Sequence, residues 1–294
     1  MKPNRIAVIG AGGFFGVPLL SELKKSFEAT GTFLHKPVEG LVPLDISIES
    51  EVRSFFSRFK PDCVINLAAI TDVDVCEKNP EDAFLVHAIG TKNLATACQQ
   101  FNARFVYFST DFVFDGSRGN YAETDSTNPI NQYGKTKLLG ELEAKKVSEH
   151  LIVRTSTPYS WNPDSKKFVA QTIARLSNGL EVNAFSDLVR SPTLVENVPE
   201  NIVSLIKKDA LGMVHLAGTS QVSMYEAALE AAQVFGFDEK LVKKTSIKSL
   251  SLPAPRPKDT SLNVQKAKKL GLRLLSLKEG LLQIKKSWEK AAKK

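Results

Sequence analysis

Tyr133 and Lys137 lie four residues apart in Asn131-Gln132-Tyr133-Gly134-Lys135-Thr136-Lys137, and on a helix that spacing stacks two side chains on one face. A phenol with an ordinary pKa near ~10 is a poor proton donor at neutral pH. An ammonium held beside it stabilises the phenolate, and each unit of lowering is worth about 1.4 kcal/mol. Tyr133 is therefore a candidate acid and Lys137 its tuner. The same spacing also arises by chance, with the ring packed on a core and the lysine in water, so the rest of the chain has to decide. A third candidate comes from Arg104-Phe105-Val106-Tyr107-Phe108, a continuous apolar run that ends in Ser109-Thr110-Asp111. Hydroxyls at the carboxyl end of a buried-type strand sit where open α/β sheets bind ligands, and Thr110 is placed to hydrogen-bond a reacting carbonyl.

The elements that must position these groups can be read upstream. Arg5 to Ile9 is a β-branched run, and Gly10-Ala11-Gly12-Gly13-Phe14-Phe15-Gly16 follows it, opening an apolar-periodic helix through Leu19, Leu20, Leu23 and Phe27. Strand, glycine turn and helix together aim backbone N–H groups at a phosphate, so Gly10, Gly13 and Gly16, with Phe14 and Phe15 between them, are candidate cofactor contacts. The next strand is expected over 32–35. It is followed by His35 and Lys36 instead of an acidic residue, which favours NADPH over NADH. Asp45, with Ile46 beside it, is suited either to accept from an adenine amino group or to cap the helix carrying Val52, Phe55 and Phe56. The strand from Asp62 ends in Leu67-Ala68-Ala69, small enough for a ring or ribose to approach, and a helix is expected from about 81 to 100. Leu138, Leu139 and Leu142 predict an apolar stripe on the Tyr133 helix.

Strand and helix alternate five times in the first ~155 residues, which argues an α/β Rossmann-type fold, a doubly wound parallel sheet. From Ser156 onward the prolines at 158, 163, 192, 199, 253, 255 and 257 break the pattern, with helices expected near 166–178, 196–208 and 223–236. The expected organisation is a nucleotide-binding domain over 1–155 and a smaller C-terminal substrate lobe over 156–294, with strands near 181–185 and 212–216 returning to the main sheet.

Composition narrows the function classes. No apolar run approaches the ~20 residues of a membrane span, and the start carries no signal peptide, so a cytoplasmic protein without membrane contacts is expected. Cys63, Cys76 and Cys98 form no Cys-x-x-Cys and read as reduced thiols, and His35, His87, His150 and His215 lack metal-ligand spacing, so no metal site is expected. The net charge of +7 is concentrated in the tail at Lys285, Lys286 and 290–294, and no aromatic-interleaved basic stripe points to nucleic acid.

Taken in order, the glycine turn, Asn66-Leu67-Ala68-Ala69, Ser109-Thr110-Asp111-Phe112-Val113-Phe114-Asp115-Gly116, Tyr-x-x-x-Lys, Val153-Arg154-Thr155-Ser156, Ser191-Pro192-Thr193 and Arg256-Pro257-Lys258-Asp259-Thr260-Ser261-Leu262 resemble an extended short-chain dehydrogenase/reductase. More narrowly, they resemble the dTDP-4-dehydrorhamnose reductase family. The resemblance implies hydride transfer from NADPH to a nucleotide-linked 4-keto-6-deoxy sugar. Tyr133 would be the acid, Lys137 would hold the nicotinamide ribose, Thr110 would orient the carbonyl, and Ser109 would join the cofactor wall. It assigns Val73, Asp74, Asp111, Thr157 and Arg256 to the substrate, the Arg256 guanidinium being suited to a diphosphate or to an exposed structural role. A homodimer is a further expectation. The chain departs from the family at Thr157, where a tryptophan is usual, at Leu188, where a glutamine is usual, and at His87, where related enzymes carry asparagine. These departures keep two alternatives open: a regulatory protein resembling the regulatory subunit of methionine adenosyltransferase, and a sugar-nucleotide epimerase.

Overall fold

The computed structural model describes residues 3–162, 165 and 167–292. Pro163, Lys166 and the last two lysines of the basic tail lie outside the described residues. Seven parallel strands make the central sheet: β1 (Arg5–Ile9), β2 (Glu28–Phe33), β3 (Val42–Pro43), β4 (Cys63–Asn66), β5 (Arg104–Thr110), β6 (His150–Thr155) and the later strand Gly212–His215. The order across the sheet is β3-β2-β1-β4-β5-β6, then Gly212–His215. The order therefore reverses between β1 and β4, and at such a switch point the carboxyl ends of the strands open a crevice.

Helices cover both faces. They are α1 (Gly16–Leu23), α2 (Glu49–Phe59), α3 (Val73–Lys78), α4 (Pro80–Phe84), α5 (Thr91–Gln100) and α6 (Gln132–Ala144), with Val198–Lys207 packed beside α1. Strand side chains alternate between faces, so Ile6 and Val8 meet Leu19 and Leu23 of α1 and Ile202 of Val198–Lys207. Ala7 and Ile9 face Phe55 and Phe56 of α2 and Leu94 of α5. Each such fully buried aliphatic or aromatic side chain contributes ~1.5–3 kcal/mol, which is why these strands read as unbroken apolar runs. A separate cluster of Tyr159, Ile173, Ala231, Leu277 and Leu281 forms the core of the C-terminal half around helices Phe168–Ser177, Met224–Phe235 and Leu277–Ala292. Among the described residues no helix is long and apolar enough to cross a membrane.

Several sequence expectations are corrected. The strand expected over 32–35 is Glu28–Phe33, so His35 and Lys36 lie just past its end. The segment 181–185 does not rejoin the main sheet: Val182–Phe185 pairs with Val242–Thr245 in a two-stranded sheet of its own. Its inward side chains Val182 and Ala184 pack with Leu176, Ala228 and Val242, which anchors it to the C-terminal half. The helix expected over 81–100 is interrupted by a π-helical turn at Leu85–Gly90, which carries His87. The apolar stripe expected on α6 is also overturned. Leu139 and Leu142 are exposed, and the buried face is Gly134, Thr136, Lys137, Gly140 and Glu141. The cause is close packing, since a Cβ on Gly134 would run into the Phe112 carbonyl and one on Gly140 into the Tyr107 hydroxyl.

Candidate active site

The glycine turn follows directly from β1. Gly10 adopts φ +76, and a Cβ there would stand 3.1 Å from the Ala68 nitrogen, so the turn needs glycine both for its backbone and for its contact with the end of β4. Gly16 is pressed against Ala11 where α1 begins. Beside the turn is a cavity of about 420 Å³. Gly10 and Gly13 line it together with Leu67, Ala68 and Ala69, and so do His35, Lys36, Asp45 and Ile46. Such a lining could hold an adenosine group and its phosphates: small residues that leave backbone open to a flat ring, and basic groups just past the end of β2. The capping role considered for Asp45 is corrected. α2 starts at Glu49 with Ile48 as its cap, and the Asp45 carboxylate instead accepts from the Ser47 N–H at 2.9 Å and hydroxyl at 2.7 Å.

A second cavity of about 200 Å³ adjoins Phe14 and Phe15. Thr110, Tyr133 and Lys137 all line it, together with Val73, Ser109, Asp111 and Thr157. Three elements bring them there: β5 ends at Thr110, α6 presents Tyr133 and Lys137, and β6 lies in register beside β5, with Thr155 opposite Thr110. The start of α6 is fixed by Asn131, whose side-chain oxygen accepts from the Gly134 N–H at 2.9 Å while its amide donates to the Pro255 carbonyl at 2.9 Å.

The electrostatics differ from the simple tyrosine–lysine picture. Burial pushes the Tyr133 phenol well above its ordinary range, opposed by a hydrogen bond with Thr110, so the proton stays on at neutral pH. The ring is held edge-on between His87 and Phe112, with centroids 5.9 and 5.7 Å away. Lys137 is anchored on β5. Its Nζ donates to the Phe108 carbonyl at 2.7 Å and lies 4.3 Å from the Tyr107 ring centre. Burial brings its pKa down to about 7, opposed by the Glu141 carboxylate. Glu141 is fully buried and accepts from Arg154 through Nε at 2.8 Å and a terminal nitrogen at 2.7 Å, and from the Ser109 hydroxyl at 2.6 Å. Ser109 therefore reaches the cavity with its hydroxyl already committed.

Asp111 lines the cavity but serves as a hub. Its carboxylate accepts from Thr110, Ser156 and Thr260 and faces Arg190 at 3.9 Å, while burial pushes its pKa up. Asp74 and Arg256, both expected near the substrate, hold each other at 2.8 Å. Asp74 also accepts from the Ala254 N–H at 3.1 Å, which ties the start of α3 to the C-terminal loop. Thr157 has φ +39, a left-handed backbone that a β-branched residue adopts at a cost of ~1–3 kcal/mol, and strain of that kind collects at ligand sites.

Two residues take parts that the sequence did not assign to them. His87 accepts the Ile70 N–H on Nε2 at 2.9 Å, so Nδ1 carries the proton and donates to Thr136 at 2.8 Å, and Thr136 in turn donates to the Gln132 carbonyl. The ring thus joins the loop after β4 to the first turn of α6, and burial brings its pKa down to about 3. Lys167, within the helix expected near 166–178, also lines the cavity.

A family model described as the RmlD substrate binding domain matches residues 4–289. The chain is 33% identical to a probable low-salt glycan biosynthesis reductase of Haloferax volcanii, over 87% of this chain and 89% of that protein. It is 36% identical to a dTDP-4-dehydrorhamnose reductase of Mycobacterium tuberculosis, over 89% of this chain and 86% of that protein. Among solved structures, a dTDP-4-dehydrorhamnose reductase from Bacillus anthracis in complex with NADP superimposes with a TM-score of 0.86 at 30% identity, covering 97% of this chain and 99% of that one. A match that runs from the first strand of the sheet to the last helix, on a chain whose strand ends and α6 converge on one cavity, places this protein in the RmlD substrate-binding domain family.

Proposed function

We propose that the protein is an NADPH-dependent reductase of a nucleotide-linked 4-keto-6-deoxy sugar, of the dTDP-4-dehydrorhamnose reductase type. The convergence of Thr110, Tyr133 and Lys137 on one cavity beside the glycine turn carries the reading. Gly10, Gly13, Ala68 and Ala69 leave room for a dinucleotide, and His35 and Lys36 would face its 2′-phosphate. When bound, the reduced nicotinamide supplies the hydride. Negative charge then builds on the carbonyl oxygen of the sugar, and donors fixed there in advance stabilise it. Thr110 orients that oxygen, and Tyr133, still protonated at neutral pH, gives it a proton. Lys137, anchored on Phe108, keeps an ammonium beside the phenol's face of α6, where it would hold the ribose. Val73 and Thr157 would border the sugar.

The proposal includes a cytosolic setting and a homodimer. The exposed Phe84, Leu85 and Leu139 line a common groove that a second copy would cover, and light scattering that reports a monomer removes that part. The central test is NADPH consumption with dTDP-4-dehydrorhamnose and related nucleotide keto-sugars. Tyr133→Phe should bind NADPH as the parent does while kcat falls at least ~100-fold, the scale of a lost general acid. Undiminished turnover in that variant, or no oxidation of NADPH with any member of the panel, overturns the reading.

A further inference from the structure

We infer that Glu141 is a positioning residue for the reaction: one buried carboxylate that fastens α6 to β5 and β6 beneath the cavity and balances two cations, Lys137 and Arg154. Its bearing on catalysis rests on the reductase reading, in which Lys137 holds the nicotinamide ribose. The arrangement of charges rests on geometry.

Consecutive residues of β5 grip α6. The Tyr107 hydroxyl donates to the Lys137 carbonyl at 3.3 Å, the Phe108 carbonyl accepts from the Lys137 ammonium at 2.7 Å, and the Ser109 hydroxyl donates to Glu141 at 2.6 Å. Arg154 stands opposite Ser109 in the register of β5 and β6, one position before the facing residues Thr110 and Thr155, and reaches the same carboxylate. Glu141 therefore closes a junction of strand, strand and helix. Thr110 is the next residue on β5, and Tyr133 lies about two turns back along α6.

The charges add a separate constraint. Lys137, Glu141 and Arg154 are all buried, and Lys137 and Glu141 are a turn apart on one face of α6. Among the described residues Arg154 has no other ion-pair partner, and one of its terminal nitrogens is left without a hydrogen bond. His215 beside it is neutral, burial having brought its pKa down to about 3. The other titratable groups around Lys137 are also uncharged at neutral pH. Burial raises the Tyr107 phenol on β5, the Tyr133 phenol on α6 and the Cys76 thiol on α3, the last to about 11, and lowers His87 of the π-helical turn to about 3. Asp111, which lines the same cavity, faces Arg190. One carboxylate thus serves two cations. A guanidinium does not give up its proton inside a protein, whereas a buried lysine does so readily. With the Glu141 charge removed, Lys137 is the group that must yield, and the ribose would lose its ammonium.

The test compares the full-length parent with Glu141→Gln, which keeps the shape and an acceptor for Ser109. A second variant, Glu141→Gln with Arg154→Met, also removes the stranded guanidinium. NMR titration with isotope-labelled lysines, assigned through Lys137→Met, reads the ammonium directly. Its midpoint, at about pH 7 in the parent, should fall by about one unit in Glu141→Gln and stay below the parent's in the double variant. A one-unit fall makes NADPH binding, followed by calorimetry, about fivefold weaker at pH 7 but only about twofold weaker at pH 6, where the lysine is recharged. An unchanged midpoint in folded Glu141→Gln overturns the proposal, as does an equal loss of NADPH affinity at the two pH values, which would mean a packing role. If Glu141→Gln does not fold, the double variant decides: a midpoint equal to the parent's removes the charge role. Neither measurement needs turnover. A parent that binds NADPH but reduces no keto-sugar would sink the reductase reading and leave the Lys137 titration to be judged by itself.

Discussion

The Lys137 ammonium is bonded to the Phe108 carbonyl at 2.7 Å, so the cation on the cavity face of α6 is anchored by the strand that carries Thr110. Burial has lowered its pKa from 10.5 to about 7. Between those values the unfolded chain binds a proton that the folded chain does not. Stability therefore rises with pH through that window, and the full cost of burying the charge is present below it. Lys137→Met should flatten the rise in Tm measured from about pH 7 to 10. An identical pH slope in the variant would show that other groups set it.

His87 links two segments through one neutral ring, and His215 is buried in the same way, each with its pKa lowered from 6.5 to about 3. The unfolded state takes up protons first as pH falls from about 6.5, so stability is lost progressively down to about pH 3. His87→Ala leaves the Ile70 N–H without its acceptor. At pH 7 urea denaturation should show a loss of about 1–3 kcal/mol, the cost of one unsatisfied buried donor, and a shallower loss on acidification. A variant as stable as the parent at pH 7 would mean that water replaces the ring.

Glu141 and Arg154 are both almost completely buried and joined by two hydrogen bonds. Removing one partner strands the other charge, so Glu141→Ala should cost about 3–5 kcal/mol in chemical denaturation, while Glu141→Leu combined with Arg154→Met should recover much of that. The single change also removes the carboxylate that raises the Lys137 pKa, so the pH dependence of activity in any folded fraction should shift to lower pH. A double variant no more stable than Glu141→Ala contradicts the desolvation argument.

Thr157 holds a backbone angle of φ +39 beside the cavity that Tyr133 lines. Thr157→Gly removes a strain of about 1–3 kcal/mol and adds back some chain entropy, so a small net rise in Tm is expected. Since the side chain borders the cavity, KM for the keto-sugar should change while the affinity for NADPH does not. A lower Tm would show that the Thr157 side chain contributes more than its backbone costs.

The glycine turn, the apolar strands and their hydroxyl-bearing ends were legible because they depend on neighbours in sequence: Gly10 on its own backbone, Thr110 on its position at a strand end. The same holds for Tyr133 and Lys137, whose common face follows from helical spacing. Partner choice was not legible, because it is made across the chain. Ser109 finds Glu141 32 residues away, and Asp74 finds Arg256 182 residues away. The buried face of α6 was misread for a related reason. Hydrophobicity suggested Leu139 and Leu142, whereas the closeness of Phe112 and Tyr107 demanded Gly134 and Gly140. Val182–Phe185 has a strand's alternation, but nothing local says which sheet will accept it.

Asn131 joins two parts of the molecule with a single amide. Its oxygen sets the first turn below Tyr133, and its nitrogen grips the Pro255 carbonyl, one residue before Arg256. Displacement of that loop must either break this grip or drag the tyrosine's helix with it. The position of the Pro255 loop and the orientation of the Tyr133 turn are thereby mechanically geared through one side chain.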